Sequence, residues 1–336
     1  MDIRQLLADP ALKQEFLDRV PGLAEQSQDN AGGLESLEGG QFMDRAASAA
    51  ENIAEGTYVP GTDPGLEAII ERFTRPVYLV QRSTFVTPAD SFPNSEVIGG
   101  QLEAGRTALE RVIPSAGRID LRNHQHDWVG TGWVVAPGIV VTNRHVAREF
   151  ASDLKGAFAF RKNYGAPPVA ASIDWRHEYR QPDESRFKVK EILWIEPEDS
   201  VDVSLLHIVD RGEDGEAGPS AIELMTRTEF DGIGVGAWVA VVGYPARDSR
   251  NNLADQQRIF DGIYNVKRLA PGQVTAVAVG DVLHHDATTL GGNSGSVVIH
   301  LESGKAMGLH FGGIEGDRNA AVQAPRVYQL LRRFLS

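Results

Sequence analysis

The chain contains no cysteine among its 336 residues. That excludes disulfides, a thiolate nucleophile and every zinc site built on thiolates, so any nucleophile here is an oxygen. Basic residues are in short supply: 33 Lys plus Arg stand against 46 Asp plus Glu, a net charge of -13. No window carries the basic stripe that phosphate neutralisation requires, and nucleic acid is not expected as a partner. Long apolar runs are also missing; the longest fall far short of a bilayer span, so no membrane association is expected. Met1 to Val20 mixes charges and lacks the charged start, apolar core and small-residue cleavage site of a secretory signal. The expectation is a soluble, cytoplasmic protein, and the absence of cysteine fits a reducing compartment.

What is present is ordinary for a folded protein: 42% hydrophobic and 24% charged residues, enough to bury a core. The length fits one catalytic domain of about 200 residues plus a smaller appendage. Residues 1–57 carry helical signals. Asp9 before Pro10 is an N-cap followed by proline at the first helical position, and Leu12, Phe16, Leu17 and Val20 recur at helical spacing. Asp29 to Gly40 reads as a loop, Phe42 to Glu55 as an alanine-rich helix, and Tyr58 to Pro64 as a break. Residues 58–117 form a connector. It holds a helix at Leu66 to Phe73, a strand at Val77 to Phe85, turns at Pro88 to Ser95 and an amphipathic helix at Leu102 to Ile113.

From residue 118 to the end the texture changes. Short β-rich runs alternate with Gly, Pro, Asn and Asp: Val129 to Val135, Ile139 to Thr142, Val203 to Val209, Trp238 to Val242, Gln273 to Val279, Ser296 to His300 and Ala306 to Phe311. That rhythm is the signature of an all-β sandwich or barrel. Pro325 to Leu335 is a helix opened by proline, with Arg332 and Arg333 in its last turns where the helix dipole favours positive charge.

Three short runs carry chemistry. In Gly291-Gly292-Asn293-Ser294-Gly295-Ser296, glycines flank a serine before an apolar strand. Such a loop lets successive N–H groups, those of Gly292 and Ser294, converge on one oxyanion; a plain glycine-rich hairpin is its other reading. Val140-Val141-Thr142-Asn143-Arg144-His145-Val146 ends a strand in histidine, the usual base for a serine hydroxyl, or else a structural histidine. Asp202 opens the apolar strand Val203 to Leu206, where a carboxylate is costly to bury unless paired, and an imidazole N–H is a fitting partner; capping a strand edge is the alternative.

Together these resemble the trypsin-like, chymotrypsin-fold serine peptidases, which present His, Asp and Ser in this order. The resemblance runs from about Arg118 to Ser336. It implies a mainly β fold of two six-stranded antiparallel β-barrels with a C-terminal helix, preceded here by a small helical N-terminal region. It also implies a catalytic triad of His145, Asp202 and Ser294, an oxyanion hole from Gly292 and Ser294, polypeptide substrates and no cofactor. GNSGS, the preceding Thr288-Thr289 and the following Gly308 to Gly313 narrow the likeness to the cysteine-free bacterial branch that includes glutamyl endopeptidases. There a threonine five positions before the serine and a histidine in the next strand bind the substrate's glutamate, the places of Thr289 and His310. Thr288 stands where trypsins hold the aspartate that selects Lys or Arg. Phe311, Gly312 and Gly313 are expected to form the edge that pairs with substrate backbone.

Other features carry less. His124 with His126, and His284 with His285, offer no third metal ligand at recognisable spacing and read as exposed loop histidines, so no metal site is expected. Ser95 to Gly100 resembles the start of activated trypsins, but Asn293 stands where their ion-pairing aspartate lies, and the likeness is taken as coincidence. Residues 1–117 have no counterpart in a minimal enzyme of this kind. They are expected to serve as a pro-region of a zymogen, another regulatory segment, or a module for a protein partner or activating protease, with Asn30 to Gly40 and Thr87 to Gly100 open to nicking. A protease-like scaffold that binds peptides without cutting, and a regulatory or defence effector with one cellular substrate, are the competing functions.

Overall fold

Strand-forming sequence in the second part of the chain closes on itself twice. The computed structural model describes residues 7, 9–19, 39–59, 70, 76–86, 95–154, 157–162, 165, 167–247, 253–277, 280–314 and 318–335. In the first closed barrel the strand order is β10-β5-β4-β3-β8-β9, built from β3 (Ala116–Arg122), β4 (Trp128–Ala136), β5 (Ile139–Thr142), β8 (Ala170–Asp174), β9 (Arg186–Ile195) and β10 (Ser204–Ile208). Pairing of β10 with β9 closes the ring. A hairpin of β6 (Ala151–Asp153) and β7 (Phe158–Phe160) sits outside it.

The second barrel follows the order β11-β14-β15-β16-β13-β12, and β12 returns to β11. Its strands are β11 (Trp238–Gly243), β12 (Arg268–Val277), β13 (Val282–His285), β14 (Val297–His300), β15 (Ala306–Ile314) and β16 (Arg318–Gln323). All pairings in both rings are antiparallel. The C-terminal helix Ala324–Leu331 has proline in its first turn and buries Val327, Leu330 and Leu331; it stops short of the expected Leu335, so that Arg332 and Arg333 lie past its last turn and not within it.

Period-two alternation explains how one strand serves two cores. On β4 and β5, Val134 and Val140 join Ile119, Ile173, Phe187 and Leu206 inside the first barrel. Their neighbours Trp133 and Val141 face the other way, into a cluster with Val242, Val297 and Leu309 of the second barrel. That cluster also takes in Leu12, Phe16, Ile53, Ile98, Leu102 and Leu109. The helical segments ahead of residue 118 therefore bury their apolar stripe against the barrels.

The first helix, residues 10–19, starts as its sequence implies: Asp9 Oδ1 accepts from the N–H groups of Ala11 and Leu12 at 2.9 and 3.2 Å. The alanine-rich helix spans Gly39–Glu55. Glu15 of the first helix reaches the N-terminus of helix Glu96–Ala104, accepting from Ser95 Oγ at 2.8 Å and Val97 N at 3.1 Å. Ser95 to Gly100 is thus a helix start, with Ser95 as its N-cap, which agrees with reading its likeness to a trypsin start as coincidence.

Three further expectations are corrected. Val77 to Phe85 is a hairpin, β1 (Tyr78–Gln81) and β2 (Thr84–Val86), with β1 paired to β12; Arg82 and Ser83 take φ of 51° and 60°, the mirror-image turn that suits two antiparallel strands. Leu102 to Ile113 is two helices, Glu96–Ala104 and Arg106–Val112, because the chain bends at Gly105, where a Cβ would lie 3.2 Å from the Leu301 carbonyl oxygen. His284 and His285 belong to β13, and His285 is fully buried. The helix at Leu66 to Phe73, apart from residue 70, the turns at Pro88 to Ser95 before Ser95, and the loop at Asp29 to Gly40 before Gly39 lie outside the described residues, as does Tyr58 to Pro64 beyond Val59.

A buried ion pair joins the parts. Lys267, ahead of β12, donates to Glu178 Oε1 at 3.1 Å, to the Trp175 carbonyl at 2.7 Å and to the Ile113 carbonyl at 3.0 Å. Glu178 in turn accepts from Ser83 N at 2.8 Å. One cation therefore links both barrels, the end of the connector and the β1–β2 turn, with every ammonium proton satisfied.

Candidate active site

β5 delivers Asn143 and His145 to one end of the first barrel. The chain leaves the strand at Thr142 and enters the short helix Arg144–Phe150, with Asn143 at the N-cap position. The Asn143 side chain makes no cap bond there; its Nδ2 donates to the Asp202 carbonyl at 3.0 Å. Arg144 reaches the same loop and donates to the carbonyls of Ser200 and Val201, each at 3.1 Å. These two side chains hold residue 202 against the helix start.

The Asp202 carboxylate takes hydrogen bonds on both oxygens from His145, with Arg144 Nε 4.0 Å from Oδ1. Oδ1 accepts the backbone N–H of His145 at 3.0 Å and Oδ2 meets its ring Nδ1 at 2.6 Å. The imidazole is half exposed and the carboxylate is 15% exposed. Burial by itself would raise the Asp202 carboxyl; the hydrogen bond and charge of His145, that residue's N–H and the Arg144 charge outweigh it and hold the group below its ordinary value. A fixed carboxylate at Nδ1 orients the ring and leaves Nε2 to exchange a proton with a nucleophile.

Ser294 comes from the other barrel. Its loop precedes β14 and is bonded to β4 by Thr131, whose N–H donates to the Ser294 carbonyl at 2.9 Å and whose hydroxyl donates to the Gly292 carbonyl at 3.1 Å. A Cβ at Gly130 would lie 2.9 Å from Val146 and 3.0 Å from the Ser294 carbonyl oxygen, so the residue after His145 and the serine backbone meet at the same glycine. Gly292 and Gly295 both take φ of +87°. At residue 292 a Cβ would meet the Tyr244 carbonyl at 2.4 Å, and at residue 295 the Thr131 carbonyl at 1.9 Å. Among the described residues, the N–H groups of Gly292 and Ser294 donate to no carbonyl, whereas that of Asn293 donates to Leu290 and that of Gly295 to His310.

The residues expected to receive a substrate side chain sit beside this loop. Thr288 is buried. Thr289 Oγ1 donates to Asn319 Oδ1 at 2.8 Å, and Asn319 Nδ2 donates to the Ala287 carbonyl at 2.7 Å. His310 on β15 is buried, its Nδ1 3.2 Å from His285 Nε2. Burial, with a smaller contribution from the charge of His145, pushes His310 down to about 3. The ring is therefore neutral near neutral pH. Phe311, Gly312 and Gly313 continue β15, where Gly312 and Gly313 pair with β16; on the opposite side the pairing with β14 ends at Leu309 and Val297.

Asn319 is the residue that sequence reasoning missed, and His285 the one it misread as an exposed loop histidine. A β-strand alternation through RNAAVQ is the signal that would have placed Asn319 beside a strand partner. His124 and His126 lie in the loop between β3 and β4, with His124 3.8 Å from Glu149 of the helix that carries His145.

Two closed six-stranded antiparallel barrels, one carrying an imidazole–carboxylate pair and the other a glycine-flanked serine loop, define the chymotrypsin-like class of peptidases. The model of the trypsin-like peptidase domain matches residues 130–309, more than half of the chain. The chain belongs to this family and is a serine endopeptidase that acts on polypeptides. It is 27% identical over 307 residues to a probable serine protease of Lysobacter enzymogenes, a match that covers 84% of this chain and 79% of that one. Among solved structures it is similar to the Rv3671c protease of M. tuberculosis. The inactive form is 19% identical, with 70% of this chain and 96% of that chain covered and a TM-score of 0.41. The active form is 20% identical, with 69% and 85% covered and a TM-score of 0.42. No described helix is long and apolar enough to cross a membrane.

Proposed function

We propose that the protein hydrolyses peptide bonds by acyl transfer, with Ser294 as nucleophile, His145 as general base and then acid, and Asp202 orienting the imidazole. The carrying observation is the 2.6 Å contact of His145 Nδ1 with Asp202, together with a serine loop in which, among the described residues, the N–H groups of Gly292 and Ser294 donate to no carbonyl. Ser294 Oγ adds to the scissile carbonyl while its proton passes to His145 Nε2. The oxyanion so formed takes hydrogen bonds from the N–H groups of Gly292 and Ser294, each worth about 3 kcal/mol in the transition state. Proton return to the leaving amine releases it, and water repeats the sequence on the acyl enzyme.

The residue before the cut is read as Glu. Thr288 leaves no carboxylate to select Lys or Arg, and a neutral His310 in the tautomer protonated on Nε2, with Nδ1 turned to His285, has an N–H to donate to a substrate carboxylate. Thr289 joins as a second donor only by releasing Asn319. The open side of Phe311, Gly312 and Gly313 receives the substrate backbone as an added strand.

Regulation by the N-terminal region belongs to the same reading. The Glu15 contact holds the first helix on helix Glu96–Ala104, and Gly105 at its end packs on Leu301, which follows β14 and thus the serine loop. Releasing the latch with Glu15→Ala should change kcat/KM; an unchanged rate removes the regulatory part.

A peptide library digested by the wild-type protein and by Ser294→Ala, with cut sites read by mass spectrometry, tests the whole. Cuts after Glu that vanish in the variant support it. Cuts after other residues discard the Glu pocket, and no cutting by the wild type favours a peptide-binding scaffold.

A further inference from the structure

Trp128, the first residue of β4, is only partly buried and lies against the serine loop. A Cβ on Gly292 would meet its ring atoms at 2.5 and 2.9 Å. The indole therefore borders the glycine whose N–H is assigned to the oxyanion. Arg118 stands behind it, its guanidinium carbon 5.7 Å from the ring centroid. That cation is neutralised by Asp120, with contacts of 2.6 and 3.2 Å, and its Nη1 donates to the Asn265 carbonyl at 3.4 Å. The ring is thus fixed from behind by a paired charge and presents an apolar surface.

The direction of the substrate follows from the proposed site, on which this inference rests. Residues before the scissile bond lie along the open side of β15 at Phe311 to Gly313. With those residues assigned to one side of the reacting carbonyl, the chain beyond the scissile bond is assigned to the other, toward the oxyanion glycine Gly292. Trp128 borders that glycine. We propose that Trp128 is a specificity-determining residue for the leaving-group side of the substrate, selecting a bulky apolar or aromatic side chain at the first or second position after the cut. Such a side chain buries its own surface and that of the indole, and ring stacking adds to the gain. A glycine there leaves the indole in water.

Paired peptides test it. One set ends at the cleaved residue in an aminocoumarin, and the other extends beyond it with Phe-Leu or with Gly-Gly. Wild-type protein should favour the Phe-Leu peptide over the Gly-Gly peptide by about tenfold in kcat/KM, the scale that one apolar side chain carries in a hydrophobic subsite. Trp128→Ala should bring that ratio close to one, and Trp128→Phe should keep most of it. Measuring ratios separates this role from simple support of Gly292, which would lower all three substrates alike and overturn the proposal. A ratio unchanged in Trp128→Ala overturns it as well. Cleavage that survives in Ser294→Ala overturns the site on which it rests and is read independently of the ratio.

Discussion

His310 Nδ1 faces His285 Nε2 at 3.2 Å, two buried imidazoles joined across β16 behind the serine loop. Such a pair holds one proton in the contact, so a charge on both rings is excluded.

Stability should follow this constraint. His310 is pushed down to about 3, whereas a histidine in the unfolded chain titrates near about 6.5. Between those values the unfolded chain holds the extra proton, so stability rises with pH across the window and is lost on acidification, by up to about 1.4 kcal/mol per pH unit. Denaturant midpoints measured from pH 7 down to pH 4 should show that slope, and His310→Gln should flatten it. An equal slope in both proteins would assign the proton uptake to another group.

Asp202→Asn keeps the shape of the contact and removes the charge. The amide can donate where the carboxylate accepted, turning the imidazole toward the wrong tautomer, and kcat should fall by about 10⁴-fold with little change in KM. Asp202 is held below its ordinary value, so its contribution to stability is complete above about pH 3.9 and is lost as pH falls through the lower folded value. Single-turnover kinetics on a chromogenic ester would separate loss of chemistry from loss of binding.

Gly292→Ala places a methyl group 2.4 Å from the Tyr244 carbonyl and 2.5 Å from Trp128, at a φ of +87°. The loop must rotate, and the N–H assigned to the oxyanion moves with it. The expected loss is about 10²-fold or more in kcat, with circular dichroism unchanged. Activity within a factor of about two of wild type would reassign the donor.

Lys267→Met leaves Glu178 buried and uncompensated, which should cost about 3–5 kcal/mol in denaturant unfolding. Adding Glu178→Gln should recover part of that loss. The Ser83 N–H, now bonded to Glu178 at 2.8 Å, can still find the amide oxygen.

Much of the proposed site was legible because its parts are local. A histidine at the end of a strand, a carboxylate opening an apolar strand and a glycine-flanked serine each sit within a run of eight residues or fewer, and short runs are read without knowing what they pack against. The N-terminal cap at Asp9 and the proline-opened start of the C-terminal helix were legible for the same reason, capping being a contact between near neighbours; the end of that helix, at Leu331 and not Leu335, was not. The β1–β2 hairpin was not, since Arg82 and Ser83 adopt positive φ without the glycine or asparagine that usually marks it. Nor was the bend at Gly105, which depends on Leu301, far along the chain.

His285 illustrates the remaining gap. A His-His pair beside a turn reads as exposed loop; its burial comes from β13 pairing with both β12 and β16. Asn319 accepts a hydrogen bond from the Thr289 hydroxyl only because β16 pairs with β13 and β15. Trp128 borders Gly292 only because β4 of one barrel is bonded to the loop of the other.

The sequence by itself determined the chemistry on offer: which side chains can attack, take a proton or orient a ring, in which order, and the absence of any thiol. Tertiary structure alone decided which of them meet and what each meeting does to the group. Closing a barrel sets register and facing for every strand at once, and burial, charge and hydrogen-bond supply at a given atom depend on neighbours that are distant along the chain.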